Sequence, residues 1–184
     1  PSDPNVLYAS VVDNDGSLYN IYRSDDKGLN WRIIQPGSPS ISIFSGQGVY
    51  DNALAVFPED PDRIILGGVD AWDGRKIQET GFFGWSSIST AIFPPFFPNY
   101  LHVDHHAYVF QPGSNNTFMV GTDGGVAIGS IVEGEYVFEG SNRNYFTTQF
   151  YNIGPSGIGN YVLGGAQDNG TILITGDGNT TKQG

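Results

Sequence analysis

Titratable side chains crowd one stretch of this chain. Leu101 to Gly125 reads LHVDHHAYVFQPGSNNTFMVGTDGG and holds all three histidines of the protein together with Asp104 and Asp123. Imidazoles and carboxylates of this kind can bind a divalent metal or move protons. Metal ligation by His102, Asp104, His106 and Asp123 is one reading. Strand spacing limits it, because residues i and i+4 of a strand stand about 13 Å apart, too far for one ion. Only a pair at i and i+2, completed by Asp123 or Asp168 from elsewhere, would serve Zn²⁺ or a similar ion. A hydrogen-bonded lining of polar side chains is the other reading. In an extended strand, His102, Asp104 and His106 would share one face, with Val103, His105 and Ala107 on the other.

The elements that position these residues are predicted to be strands. The chain has 184 residues and is rich in Gly and aromatic residues, and no window sustains a helical apolar period. Four segments repeat one plan: a Pro- or Gly-containing turn, a few polar residues, a three-residue apolar run, then a small residue. They are PSDPNVLYAS, FPEDPDRIILGG, FQPGSNNTFMVGT and GPSGIGNYVLGG, closing on Ala9, Gly67, Gly121 and Gly164. These residues are 58, 54 and 43 positions apart. A period of roughly 40–60 residues filled with short strands is the signature of a β-propeller blade.

The predicted fold is therefore all-β, a propeller of four-stranded antiparallel blades. Blade pieces fall at approximately 1–46, 47–98, 99–142 and 143–184, two complete and two partial. Innermost strands are expected at 49–56, 103–110 and 147–153. Aligned on Pro58, Pro112 and Pro155, they place Asn52, His106 and Gln149 at one height, Asp51, His105 and Thr148 at the next, and Tyr50, Asp104 and Thr147 at a third. Asn52, His102, His106, Gln149 and Asp168 are thus expected to line a central channel. Two open sheet edges would be a liability, so missing blades of the same or a neighbouring chain are expected partners. The start at Pro1 and the polar end read as a piece of a longer exported chain.

A net charge of −11 and a pI near 4.3, with eight Lys and Arg spread along the chain, argue against nucleic acid or an anionic membrane as partner. Absence of Cys excludes disulfides and thiolate metal sites. No apolar run is long enough for a membrane-spanning helix. Asp13-Asn14-Asp15-Gly16 is the start of a Ca²⁺-loop pattern without its terminal acid, and an Asx turn capping a hairpin fits it better. Gly81–Trp85 and Ile92–Tyr100 read as unusually apolar connections, suited to a protein or polysaccharide surface or to packing under the propeller.

Ser24, Asp26, Gly28 and Trp31 fit S-x-D-x-G-x-x-W. Asp26 is expected to accept hydrogen bonds from the turn's own amides, Gly28 to supply a positive φ, and Trp31 to bury its ring against the hairpin. Trp72–Arg75 and Gly125–Ser130 are read as remnants that keep only the turn. This motif is the Asp box, and with the segments from Tyr50, His102 and Thr147 onward the chain resembles the BNR or sialidase-like propellers of large exported Bacteroidetes surface proteins. Relatives of that kind are often described only as glycosyl hydrolase-like or as kin of a photosystem assembly factor. The resemblance implies a secreted or cell-surface binding scaffold, with type IX secretion as the route and no required cofactor.

An alternative is a glycoside hydrolase. Propeller xyloglucanases, to which the chain is similar, place a catalytic Asp on an inner strand just before an Ala-apolar-x-apolar-x-Pro run. That position holds Asn52 in one blade and His106 in the next, and Asn is no acid or base. The carboxylates left for such chemistry are Asp51, Asp104 and Asp123. Sialidase activity would need an arginine triad, and Arg23, Arg32, Arg63, Arg75 and Arg143 are expected in rim hairpins or turns.

Overall fold

A computed structural model describes residues 2–34, 42–91, 96–145 and 147–183. Among the described residues every regular element is a strand, and no helix is long and apolar enough to cross a membrane. The chain forms two compact units, Pro1–Asn142 and Arg143–Gly184.

The first unit carries three antiparallel sheets in chain order. β1 (Leu7–Val12), β2 (Leu18–Ser24) and β3 (Arg32–Ile33) make the first. The second contains β4 (Ala53–Phe57), β5 (Asp60–Gly67), β6 (Ala71–Lys76) and β7 (Phe83–Ser87). β8 (His105–Phe110), β9 (Thr117–Thr122), β10 (Gly125–Val132) and β11 (Glu135–Gly140) make the third. In each sheet every strand pairs with its sequence neighbours, the up-and-down order of a propeller blade. Short turns enforce it. Val132 pairs with Glu135 across Glu133 (φ 53°) and Gly134 (φ 90°), two positive-φ residues whose twist matches the strands they join.

The apolar run Ile64–Leu66 has a reason in the packing of its sheet. The second sheet is buried on both faces, so Ile64, Ile65 and Leu66 are all fully covered although they point alternately up and down. Ile64 and Leu66 pack toward the first sheet with Ile21, Ile34, Phe44 and Phe83. Ile65, Ala53 and Phe57 pack toward the third with Tyr108, Phe118, Val120 and Tyr136. The innermost strands β4 and β8 run side by side in this second seam. Two glycines make room for rings in the cores: a Cβ on Gly74 would stand 2.5 Å from Trp85, and one on Gly129 2.4 Å from Phe118.

Both seams are tied by a polar cluster that the sequence did not announce. In the first seam Arg23 is buried, and it donates to Tyr8 Oη (2.7 Å), to Asp25 and to Asp62 of the neighbouring sheet, while Tyr8 donates to Pro61 O (2.6 Å). In the second, Arg63 and Arg75 donate to Asp73 Oδ2 (2.7 and 2.8 Å), and Tyr136 of the third sheet donates to the same oxygen (3.0 Å). Burial alone would raise the Asp73 pKa. Hydrogen bonds and charge from Arg63 and Arg75 overcome it and hold the carboxyl below its usual range.

The second unit is a single antiparallel sheet of β12 (Phe150–Pro155), β13 (Tyr161–Ala166), β14 (Gly170–Thr175) and β15 (Thr180–Gln183). It has four strands, so among the described residues three sheets are four-stranded where two were expected. Its outer strands escaped notice because β14 and β15 sit among Gly, Asp and Asn turn residues.

Other local expectations also change. Phe83–Ser87 is strand β7, with Phe83 buried, and not a connection. Trp72–Arg75 lies within β6 and Gly125–Ser130 within β10, so neither is a turn. Arg23, Arg32, Arg63 and Arg75 stand on strands, and Arg143 alone of the five lies in a turn. Of the apolar segment Ile92–Tyr100, residues 92–95 lie outside the described residues. Phe96 is 78 % exposed and stacks on Phe97 with ring centroids 5.4 Å apart.

Candidate functional site

The histidine-rich stretch becomes a strand only at His105, and that start decides where its side chains go. Asp104 sits at φ 63°, a left-handed conformation that a non-glycine residue adopts only under constraint. One residue later the ladder jumps: His105 pairs with Thr122 and Ala107 with Gly121, leaving His106 as the extra residue of a β-bulge. Bulges re-aim side chains. Simple alternation through His102, Asp104 and His106 therefore fails.

His105 is buried completely. One ring nitrogen, Nε2, faces His102 O at 2.9 Å, and Nδ1 faces the Tyr108 hydroxyl at 2.9 Å. A neutral ring that donates from Nε2 and accepts at Nδ1 satisfies both contacts. Burial pushes its pKa down to about 4, in keeping with a neutral core residue. Gly67 lies against this pair, since a Cβ there would fall 2.4 Å from Tyr108 Oη.

His106, by contrast, is exposed by the bulge. Its Nε2 lies 2.6 Å from Asp123 Oδ1, in the turn between β9 and β10. Tyr50, from the segment leading into β4, donates to both Asp123 oxygens at 3.1 and 3.0 Å. Its ring meets the His106 ring edge-on, with centroids 5.0 Å apart. Asn52 is exposed nearby in the chain and accepts from Ser10 Oγ of β1.

Asp51 lies beneath this polar surface and is 0 % exposed. Neither of its oxygens has a hydrogen-bond partner, and neither does Asp104 Oδ1. The Asp104 carboxyl, an acceptor like itself, acts on it most strongly, so a direct bond between them needs a proton on one; the charge of His106 acts in the opposite sense. Burial first, then the charge of Asp104, pushes Asp51 up to about 6. Asp104 is raised as well, by burial and then by Asp123, against the opposing effects of Asp51, His102 and His106.

The structure thus brings together Asp51, Asp104, His106 and Asp123; the matching-height alignment had set Tyr50 level with Asp104 and Asp51 level with His105, whereas Tyr50 meets His106 and Asp123 and Asp51 meets Asp104. His102 packs its ring over Gly124, where a Cβ would fall 2.4 Å from Cγ, and borders a shallow pocket of about 190 Å³ with Thr122 and Asn142. Gln149 and Asp168 belong to the second unit: Gln149 O accepts from Gln167 N at 2.8 Å, and Asp168 takes φ 53° in a turn. Among the described residues no three His, Asp or Glu side chains are gathered as metal ligands are. The Asp13–Gly16 segment is a hairpin turn, with Asp13 N donating to Ser17 O (2.8 Å) and Ser17 N to Asp15 Oδ1 (2.9 Å).

The turn between β2 and β3 behaves as its sequence requires, with one exception. Asp26 Oδ1 accepts from Ser24 Oγ and Asn30 N, both at 2.8 Å, and Gly28 takes φ 88°. Trp31, expected to bury its ring, is 44 % exposed. It is held through Nε1, which donates to Gly28 O at 3.0 Å, so the indole lies along the turn and not under it.

No protein-family model and no curated protein matches the chain. Among solved structures it is similar to the GH74 enzyme of Niastella koreensis, at 15% identity and a TM-score of 0.49, over 99% of this chain and 28% of that one. A second is the Cps50 (Swd1) β-propeller domain of Myceliophteria thermophila, at 9% identity and a TM-score of 0.44, over 97% and 55%. YCF48 bound to a D1 peptide is a third, at 12% identity and a TM-score of 0.39, over 100% and 53%. The chain spans less than two thirds of each. The class assignment rests on the chain's own sheets: this is an all-β propeller fragment.

Proposed function

We propose that the chain is part of an exported or cell-surface propeller that works as a binding scaffold for a protein or polysaccharide. The polar surface of Tyr50, Asn52, His106 and Asp123 is its recognition patch. One observation carries this reading. The most strongly perturbed acid, Asp51, is fully covered and lies against Asp104. Glycosidases hold their two carboxyls about 5–10 Å apart, facing the sugar from either side. Carboxyls that act directly on each other, one of them without solvent access, leave no place for a glycosidic bond.

The acidic composition and the Asp-box motif support export, with type IX secretion as the route the resemblance implies. Missing blades of the same or a neighbouring chain would cover the remaining sheet faces. No cofactor is needed for recognition of this kind.

The test is a panel of polysaccharides scored for both binding and hydrolysis. Retained binding without turnover, weakened by His106→Ala, is the expected result. Hydrolysis that disappears in Asp104→Asn or Asp123→Asn would replace the scaffold with a xyloglucanase-like hydrolase using those two carboxylates.

A further inference from the structure

We propose that Asp51 and Asp104 are ligands of a structural calcium ion that clips the starts of β4 and β8 together. Three carboxylate oxygens, both of Asp51 and Oδ1 of Asp104, are buried without any hydrogen-bond partner. Buried polar atoms are nearly always satisfied; a proton shared between the two carboxyls would serve at most one oxygen of each, whereas a cation would serve all three buried oxygens. The first seam and the outer part of this one show how the fold treats buried acids elsewhere: Asp62 and Asp73 each meet arginine. Asp51 and Asp104 have no such partner among the ion pairs of the described residues, and Asp104 takes a left-handed backbone (φ 63°). A backbone held in a rare conformation is a common mark of a functional site.

Donor chemistry selects the ion. Of the nearby imidazoles, His105 has both ring nitrogens engaged, with His102 O and Tyr108 Oη, while His106 uses Nε2 on Asp123 and His102 has Nδ1 against Val103 O at 3.1 Å. The buried atoms left unpartnered here are all carboxylate oxygens, which suit hard cations better than Zn²⁺. Asp51 is closed to solvent, so the ion must shed water on that side. Mg²⁺ does so reluctantly, whereas Ca²⁺ accepts irregular carboxylate sets with water filling the rest. Water can enter from the partly exposed Asp104 side. The inference does not depend on the scaffold reading, because a clip between two sheets would serve either a binder or an enzyme.

The experiment uses the whole chain after chelator treatment, with calcium chloride alone as the probe. Calorimetric titration should show about one ion per chain, and the unfolding midpoint should rise with calcium, since an ion that binds only the folded state stabilises it. Asp104→Asn and Asp51→Asn should each lose both responses; the second keeps the inquiry open if the first does not fold. Asp15→Asn, in the separate acidic turn, should keep both. The proposal fails if the chelated wild-type chain shows no calcium response, if the response survives in Asp51→Asn and Asp104→Asn, or if it vanishes in Asp15→Asn.

Discussion

Two covered aspartates lie in the same seam, between the second and third sheets, and the fold treats them in opposite ways. Asp73, on the third strand of its sheet, is 3 % exposed and receives two guanidinium groups and a tyrosine hydroxyl. Asp51, at the entrance to the first strand, is 0 % exposed and receives no donor, only a second carboxyl. Both pay the desolvation penalty. In Asp73 two arginine charges offset it, so the carboxylate is a tie between sheets. In Asp51 the second carboxyl adds to it, its own backbone amide and the charge of His106 oppose it too weakly, and the group is left in need of a proton or an ion. The contrast separates what holds the propeller together from what the propeller holds in readiness.

Asp73→Asn should have the largest effect. It leaves Arg63 covered without its counter-charge, which costs ~3–5 kcal/mol when a buried pair is broken. Urea unfolding at neutral pH measures this, and a loss within error would remove the tie from the comparison. The penalty has a pH signature. The Asp73 pKa is lowered, so its contribution is present above the unfolded value and is lost as pH falls through the folded one. The gap between wild type and Asp73→Asn should close only in strong acid.

Asp51→Asn should act in the other direction. Its folded pKa, about 6, lies above the usual 3.8 of an aspartate, so folding is favoured with the proton on, and stability is lost as pH rises from about 4 to about 6. With a chelator present, the amide variant should be more stable than wild type at pH 7 by up to about 3 kcal/mol, the equivalent of roughly two pKa units. The two chains should converge below about pH 4. If Asp51→Asn is as damaging as Asp73→Asn under those conditions, the two acids are equivalent and the contrast is void.

Smaller effects sharpen the picture. Tyr136→Phe removes the hydroxyl that bonds both Asp73 and Arg63 and should cost ~1–2 kcal/mol, again by urea unfolding. Trp31→Ala should cost about 1 kcal/mol or less, since the ring is largely outside and makes one hydrogen bond to its own turn. A several-fold larger loss would mean that the indole is covered by something other than this hairpin.

The strands were legible because Ile64-Ile65-Leu66 and its counterparts are apolar on successive residues, a pattern the doubly covered second sheet demands, although Leu7, Met119 and Leu163 of the counterpart runs stay exposed. The turn chemistry of Asp26 and Gly28 was legible for a similar reason. The fate of the histidines was not. Counting by twos puts His102, Asp104 and His106 on one face, but a left-handed residue at Asp104 and a bulge at His106 reset the count. Neither leaves a mark in residue type. The aromatic run at Phe82–Trp85 misled differently. Its rings looked like an exposed connection until Gly74, on the neighbouring strand, proved to be the space Trp85 fills.

What the sequence determined alone is what depends on near neighbours. The Asp26 and Asp15 turns close through hydrogen bonds to residues two and four positions away, and the strand repeat and acidic charge can be read directly. Tertiary structure alone decided the pairings across long separations: Tyr136 with Asp73, 63 residues apart, Tyr50 with Asp123, 73 apart, and Asp51 with Asp104. A carboxylate's charge state and usefulness depend on the local dielectric and on which cations reach it. Both are set by how one sheet lies on the next.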